Sequence, residues 1–477
     1  MTDRIKGASA DTFRSLRTRN FRLFFLGQLV SQTGTWLSMI TQTLLVLNLT
    51  ASGVALGALT AFQFGPMLVL GAWAGAVADR ADKRRLLVAV QTLSMLQSFA
   101  LGAVVLSGHA SVGAIYALAA VHGVLNAFDN PARRSFVVEM VSDEDLPNAV
   151  SLNSAVMTGS RVFGPALAGA LVVTVGYGWP FVIDGLSYVA VIAGLVLMRP
   201  AELNRTVPMA RARGQVREGL RYIRSEVELF VPLVMMAIVG TLAFNFSVTV
   251  PLLVSGPLHG DETTFTLLFS VVSLGSLVGA LATARRTEVS QRHLVVGAAT
   301  FGVSMLLLAA APNLPAAYAI GFVMGLGSIS FLTSSTAIVQ LRAGPEYRGR
   351  VLAIQGMVFL GTTPVGGPLV GWVADVAGPR VAIALGGVAC LVAVAYGARR
   401  LGVSWRSDGP ARPVHAAPAL DDGAGAGAGA GATVALADWP GVGGSATRRL
   451  GDPIGIGHDG GRTDVSRPTA RRVGVGQ

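Results

Sequence analysis

Four polar side chains, His122, Asn126, Asp129 and Arg133, follow one another at i, i+4, i+7 and i+11 as an apolar stretch ends. On a helix this spacing places them on one face. An imidazole, an amide, a carboxylate and a guanidinium in line can relay protons or line a hydrated route, and His122 has the side chain that titrates near neutral pH. The same stripe also serves as a polar contact between helices near a membrane surface. Arg161 is the one charge between Ala149 and Val175. A base at mid-membrane costs about 2.5–3.5 kcal/mol even on lenient scales, so Arg161 is expected to face an interior cavity. There it would meet a substrate anion or a carboxylate that exchanges protons, with Asp129 and Asp184 as candidate partners. Gln28 and Gln32 are further candidates for the cavity or a proton path, on the first apolar run with Gln42. Asp184 and Asp375 lie near the ends of their runs, where a carboxylate is also at home as an interfacial or structural group.

The elements that must carry these residues are apolar runs. Hydrophobic residues make up 52% of the chain and charged residues 13%, far below the quarter usual in a soluble domain. Six runs cover 21–49, 54–78, 86–106, 112–128, 149–175 and 179–198, and six more cover 230–254, 265–284, 293–311, 314–341, 351–376 and 381–398. At about 1.5 Å per residue, runs of this length cross a hydrocarbon layer about 30 Å thick. The expected fold is an all-α membrane protein of twelve transmembrane helices. The chain divides into an N-terminal segment (1–20), a six-helix bundle (21–198), a basic linker (199–229), a second six-helix bundle (230–400) and a tail (401–477). The tail holds the Gly-Ala run from Gly423 to Ala432 and reads as disordered. Met1–Arg19 is polar and basic, and the run behind it is too long for a cleavable signal peptide.

The net charge of +11 comes largely from bases in short turns between runs, which is membrane topology and not a nucleic-acid groove. Arg4, Lys6, Arg14, Arg17 and Arg19 share one side with the turns around Arg80, Arg133, Arg211, Arg285 and Arg348, and with Arg399 and Arg400. Arg205 and Arg213 add to the linker on that side. The opposite turns carry Arg380 alone, so both termini are expected in the cytoplasm. The single cysteine, Cys390, rules out an internal disulfide and a Cys-based metal site. No H-E-x-x-H, Walker loop or Cys/His set is present, which argues against an enzyme and an ATP-driven pump, and no cofactor or metal is expected. The halves look like copies. Gly164-Pro165 recurs as Gly367-Pro368, and Arg80 recurs at nearly the same separation as Arg285. This predicts two parallel repeats of six helices with the substrate site between them.

Between the second and third runs, Gly75 to Arg85 reads G-A-V-A-D-R-A-D-K-R-R. The pattern resembles the signature turn between the second and third spans of the major facilitator superfamily, with Asp82 where a glycine usually precedes the basic pair. The resemblance implies a conformational switch built from Gly75, Asp79, Arg80, Lys83, Arg84 and Arg85, in which Asp79 meets the start of span eleven near Val351. The segment from Asp129 to Asn153, followed by S-R-V-F-G-P-A-L-A-G, resembles the branch that holds the enterobactin exporter and the macrolide and multidrug efflux proteins of bacteria. By that resemblance Gly159, Gly164, Pro165 and Gly169 match the span-five motif of proton-driven antiporters, although Ala168 stands where many relatives have a glycine. It implies a monomeric exporter in the bacterial cytoplasmic membrane, with protons and a small amphipathic molecule as partners. An uptake or facilitated-diffusion carrier is the alternative of the same fold. Relatives with an acid in span one use it for coupling; here that span offers only glutamines.

Overall fold

Capping residues set where the helices begin. Ser52, Asp82, Ser111 and Asn313 each accept a backbone N–H of the first turn, a donor that no helix can satisfy internally. Gly176 and Gly378 end two helices at φ values of 80° and 94°, a backbone state that strains any residue with a Cβ. The computed structural model describes residues 13–204, 215–284 and 289–402. Arg4, Lys6, Arg205, Arg211, Arg213, Arg285 and the tail from 403 onward lie outside the described residues.

The first half comprises α1 (Arg19–Thr50), α2 (Gly53–Arg80), α3 (Lys83–Leu106), α4 (Val112–Met140), α5 (Leu146–Val175) and α6 (Gly178–Val196). A short helix α7 (Gln215–Ser225) precedes the second half. That half comprises α8 (Val227–Leu242), α9 (Phe246–Ser255), α10 (Glu262–Ala284), α11 (Gln291–Ala309), α12 (Leu314–Arg342), α13 (Pro345–Ala377) and α14 (Pro379–Leu401). Among the described residues, eleven spans are long and apolar enough to cross a membrane, α8 and α9 together forming one of them. The twelfth is α1. It is less apolar because Gln28, Ser31, Gln32, Ser38, Thr41 and Gln42 are turned into the bundle and buried.

Three features differ from the sequence expectation. The fourth span does not stop at Phe128; α4 runs on to Met140 through Asp129, Arg133 and Glu139. Each of these charges has a partner of opposite sign, Asp129 with Arg133 and Glu139 with Lys83, so the segment stays helical and buried. The seventh span is broken between Leu242 and Phe246, where the Asn245 side chain donates to the Thr241 carbonyl at 2.7 Å and replaces a ladder bond. The linker contains α7, which docks on the start of α13. Tyr222 stacks on Tyr347, Glu218 pairs with Arg350 at 2.9 Å, and Ile223 packs with Val351 and Ile354.

The two halves meet along α2–α13 and α5–α10. Under a repeat of six spans, α2 corresponds to α10 and α5 to α13, so each of these contacts is the counterpart of the other. The contact is backbone-close at one end. A Cβ on Gly57 would lie 2.5 Å from the Gly367 carbonyl, and one on Gly53 would lie 2.5 Å from the Gly371 carbonyl. Small residues are what permit such an approach. Further along the same helices, Gly71 on α2 and Gly349 and Gly356 on α13 have nothing within 4 Å of a built Cβ. Gly159 on α5 is equally open. The closest approach therefore lies where α2 begins and α13 ends, and a Cβ on Gly361 would still meet Leu68 further along, at 2.7 Å. The opposite end of these helices carries the basic turns. There Arg84 donates to the Leu195 and Val196 carbonyls at the end of α6, at 2.6 and 2.9 Å, and Arg14 pairs with Asp145 before α5.

Candidate functional site

The first half encloses a polar cavity lined by residues of all six of its helices, α1 to α6. His122, Asn126, Asp129 and Arg133 all line it, so the helical stripe on α4 faces inward as one set. Asp129 forms an ion pair with Arg133 and accepts from Gln91 Nε2 at 2.7 Å. Arg133 Nη1 donates to Gln28 Oε1 at 3.2 Å, and Gln32 Nε2 reaches the same oxygen at 3.2 Å. A buried network thus ties α4 to α1 and α3. Asn126 accepts from Asn130 at 2.5 Å. His122 lines the cavity half-buried beside them.

A second cavity lies between the halves. It shares Trp36, Met39, Phe64 and Arg161 with the first. Its walls include Phe244, Phe246, Phe269 and Phe359 from the second half. Phe244 packs edge-on against Phe359 with ring centroids 5.3 Å apart, and the break in the seventh span is what turns Phe244 and Asn245 toward this space. Arg161 reaches into both cavities, its guanidinium 5.0 Å from the Trp36 ring centroid. Pro165, one turn on, has no N–H to offer the Arg161 carbonyl, which loosens α5 at this point.

The acids expected beside Arg161 are engaged elsewhere. Asp129 holds Arg133, and Asp184 is buried against α3, accepting from Ser98 Oγ at 2.5 Å. Asp184 does not line either cavity, although Tyr188, one turn along α6, lines the polar one. The span-five motif divides by role. A Cβ on Gly164 would strike Trp36 of α1, one on Gly169 would strike Thr266 of α10 across the half interface, and Gly159 faces open space; Pro165 is buried.

Lys83, Arg84 and Asp82 of the charged turn bond to groups of the first half. Lys83 pairs with Glu139 of α4 at 2.5 Å with both side chains buried, Arg84 caps α6, and Asp82 caps α3 by accepting from Arg85 N at 3.0 Å. Gly75 is buried, Asp79 is half-buried in the last turn of α2, and Arg80 and Arg85 are exposed. The start of α13 is covered by α7.

Sequence reasoning did not single out Trp36, Gln91, Asn245 or the role of Asp375. Asp375, at the far end of α13, accepts from Gly53 N at 2.5 Å, Val54 N at 2.9 Å and Ser52 Oγ at 2.7 Å. It caps α2 across the half interface. The symmetric junction has its own bond, from Tyr177 Oη to Glu262 at the start of α10. Burial raises the Tyr177 phenol above its ordinary pKa, and the Glu262 bond adds to that shift. Neighbouring Asp261 is held below the usual carboxylate range by the hydroxyl and backbone N–H of Thr264. Gln91 and Asn245 are legible as polar residues in apolar runs; the contacts of Trp36 and Asp375 are not.

Twelve spans in two like halves, meeting on α2–α13 and α5–α10 around an interior cavity, define a transporter of the major facilitator class. A family model described as transmembrane secretion effector (MFS_3) matches residues 10–420, and the chain belongs to that family. It is 24% identical over 391 residues to a staphyloferrin A transporter of Staphylococcus aureus, covering 79% of this chain and 95% of the relative. It is 22% identical over 358 residues to macrolide efflux protein A of Streptococcus pyogenes, covering 72% and 87%. The fold is similar to that of a bacterial homologue of the human lysosomal transporter Spinster, solved inward-facing and unoccupied, with a TM-score of 0.65 at 15% identity over 80% of this chain and 97% of that one.

Proposed function

We propose that this protein exports a small amphipathic compound from the cytoplasm in exchange for protons, by alternating access of its two halves. The observation that carries the reading is the pair of joined cavities, an aromatic one between the halves and a polar one inside the first half, sharing Arg161. The first suits an amphipathic cargo and the second suits a proton. Membership of a family described as secretion effectors, and likeness to efflux proteins, support the outward direction.

The basic turns favour an arrangement with both termini in the cytoplasm of a bacterial cell, in the inner membrane. In that orientation the close α2–α13 contact lies on the outer side, which supports a state that loads from the cytoplasm. Asp129 is the proton carrier in this reading. Deprotonated, it holds Arg133 and through it Gln28 of α1; protonated, it loosens that tie and frees α4 to move against α1. The six-helix bundles at 21–198 and 230–400 are the rocking units, and the protein acts as a monomer. Asp79 and the basic residues of its turn bias the two end states.

The direct test measures accumulation of a panel of dyes, antibiotics and siderophores in cells with and without the protein. Lower accumulation of at least one compound with the protein present is expected. Higher accumulation would make the protein an uptake carrier and overturn the export reading.

A further inference from the structure

The cavity between the halves contains one full charge, and it is positive. Among the described residues that line this space, Arg161 is the only ionisable one, and none is Asp or Glu. Among the described residues no carboxylate lies within ion-pair distance of Arg161; the candidate partners Asp129 and Asp184 engage Arg133 and Ser98 instead. Its one recorded partner is the Trp36 ring. Such a contact offsets less than the cost of the charge at that depth. The guanidinium therefore keeps its directional donors available to a ligand.

From the second half, Asn245 lines the same cavity and brings an acceptor. Asn245 is buried, its Nδ2 is committed to the Thr241 carbonyl, and its Oδ1 has no donor. A buried carbonyl oxygen without a partner accepts strongly from a ligand N–H or O–H. The same cavity is lined by the rings of Phe64, Phe244, Phe246 and Phe359, which suit an apolar or aromatic body.

Resting on the transport reading above, we propose that the cargo is an amphipathic organic anion: a carboxylate or similar group for Arg161, a hydrophobic or aromatic body for the phenylalanines, and a hydrogen-bond donor for Asn245. A planar guanidinium matches a carboxylate bidentately, whereas it repels the ammonium of a lipophilic cation with nothing in the cavity to offset the repulsion. The lone base at mid-membrane is thus a specificity element, and its side chain bridges from the cargo cavity to the polar one. Bound anion and proton network then act on neighbouring turns of the same half.

The experiment uses the full chain in lipid nanodiscs and three fluorescent probes that share a dansyl sulfonamide: 11-(dansylamino)undecanoic acid, its methyl ester, and dansylcadaverine, which is a cation. Binding is read from dansyl emission at pH 7.5, with protein-free nanodiscs as the partition blank. The acid is expected to bind at least tenfold tighter than the ester and the cation. Arg161→Gln should remove that preference while binding the ester as the wild type does, and Arg161→Lys should keep part of it. Asn245→Leu should weaken the acid and the ester alike. Equal affinities for the three probes in wild type, or an unchanged preference in a folded Arg161→Gln, would overturn the anion assignment. If Arg161→Gln fails to fold, Arg161→Lys decides: a preference fully retained in it argues against bidentate recognition. Protonophore-sensitive efflux of any panel compound would leave the transport reading standing after such a failure, and its absence would remove that reading independently.

Discussion

Asp375→Ala should open the end of the molecule opposite the basic turns. The carboxylate accepts two backbone N–H groups and one hydroxyl at the N-terminus of α2, and all three bonds cross from one half to the other. They exist only while the halves touch at that end. A hydrogen bond to a charged group contributes about 1.5–3 kcal/mol, and a carboxylate at an exposed helix N-terminus adds about 0.3–1 kcal/mol. Asp375 is exposed, so solvent screening places the sum near the lower figures, at roughly 2 kcal/mol or about thirtyfold in the ratio of states. A conformer open at that end and populated at about 1% would rise to roughly a fifth. Asp375→Asn keeps an acceptor and loses the charge, so a shift of about fivefold is expected for it. The assay is the distance between spin labels on His109→Cys and Pro312→Cys, two turns at that end in different halves, in a Cys390→Ala background. The long-distance fraction should grow in the order wild type, Asn, Ala. An Ala variant whose distance distribution matches wild type would refute the idea that this cap holds the end shut.

Other substitutions probe the remaining parts. Asp129→Asn should abolish proton-driven transport yet preserve exchange of labelled for unlabelled cargo; loss of both would assign Asp129 a structural role. Asp79→Asn should lower transport with membrane levels near wild type, and normal turnover would return the charged turn to a plain anchor. Gly57→Val places a side chain against the Gly367 backbone, where even a Cβ would sit 2.5 Å from the carbonyl. It should hold the α2–α13 contact apart and stop turnover, and a fully active Gly57→Val would show that this close approach is dispensable.

The spans were legible because charges in this chain fall mostly in turns, as at Arg80 to Arg85. Where a charge lies within a helix, the sequence misleads, since it cannot show that Asp129 and Arg133 neutralise each other or that Glu139 meets Lys83 of another helix. For that reason the sequence presents the end of α4 as a loop. Helix α7 went unread because its apolar face, Leu220 and Ile223, is short and set among arginines; its partners Tyr347 and Val351 are over a hundred residues away. Arg161 could be placed in the interior from cost alone, because a lone base at mid-span has few other places to go. Its neighbours could not, because which helix faces meet is a property of packing. That is why Asp129 and Asp184 were offered as its partners when Trp36 is the contact made. Asp375 was seen as an acid near a span end; its function as a cap for another helix's first turn depends on Gly53 and Gly371 bringing two backbones together.

The central claim is that a proton gradient drives cargo outward. Everted membrane vesicles containing the protein, with an acidified lumen and ATP supplied throughout, test it with a compound drawn from the cell panel. Uptake into the vesicles should begin when the lumen is acidified, stop on addition of a protonophore, and fail to start in Asp129→Asn vesicles. Uptake that continues after the gradient has collapsed and ceases only when ATP is removed would contradict the account.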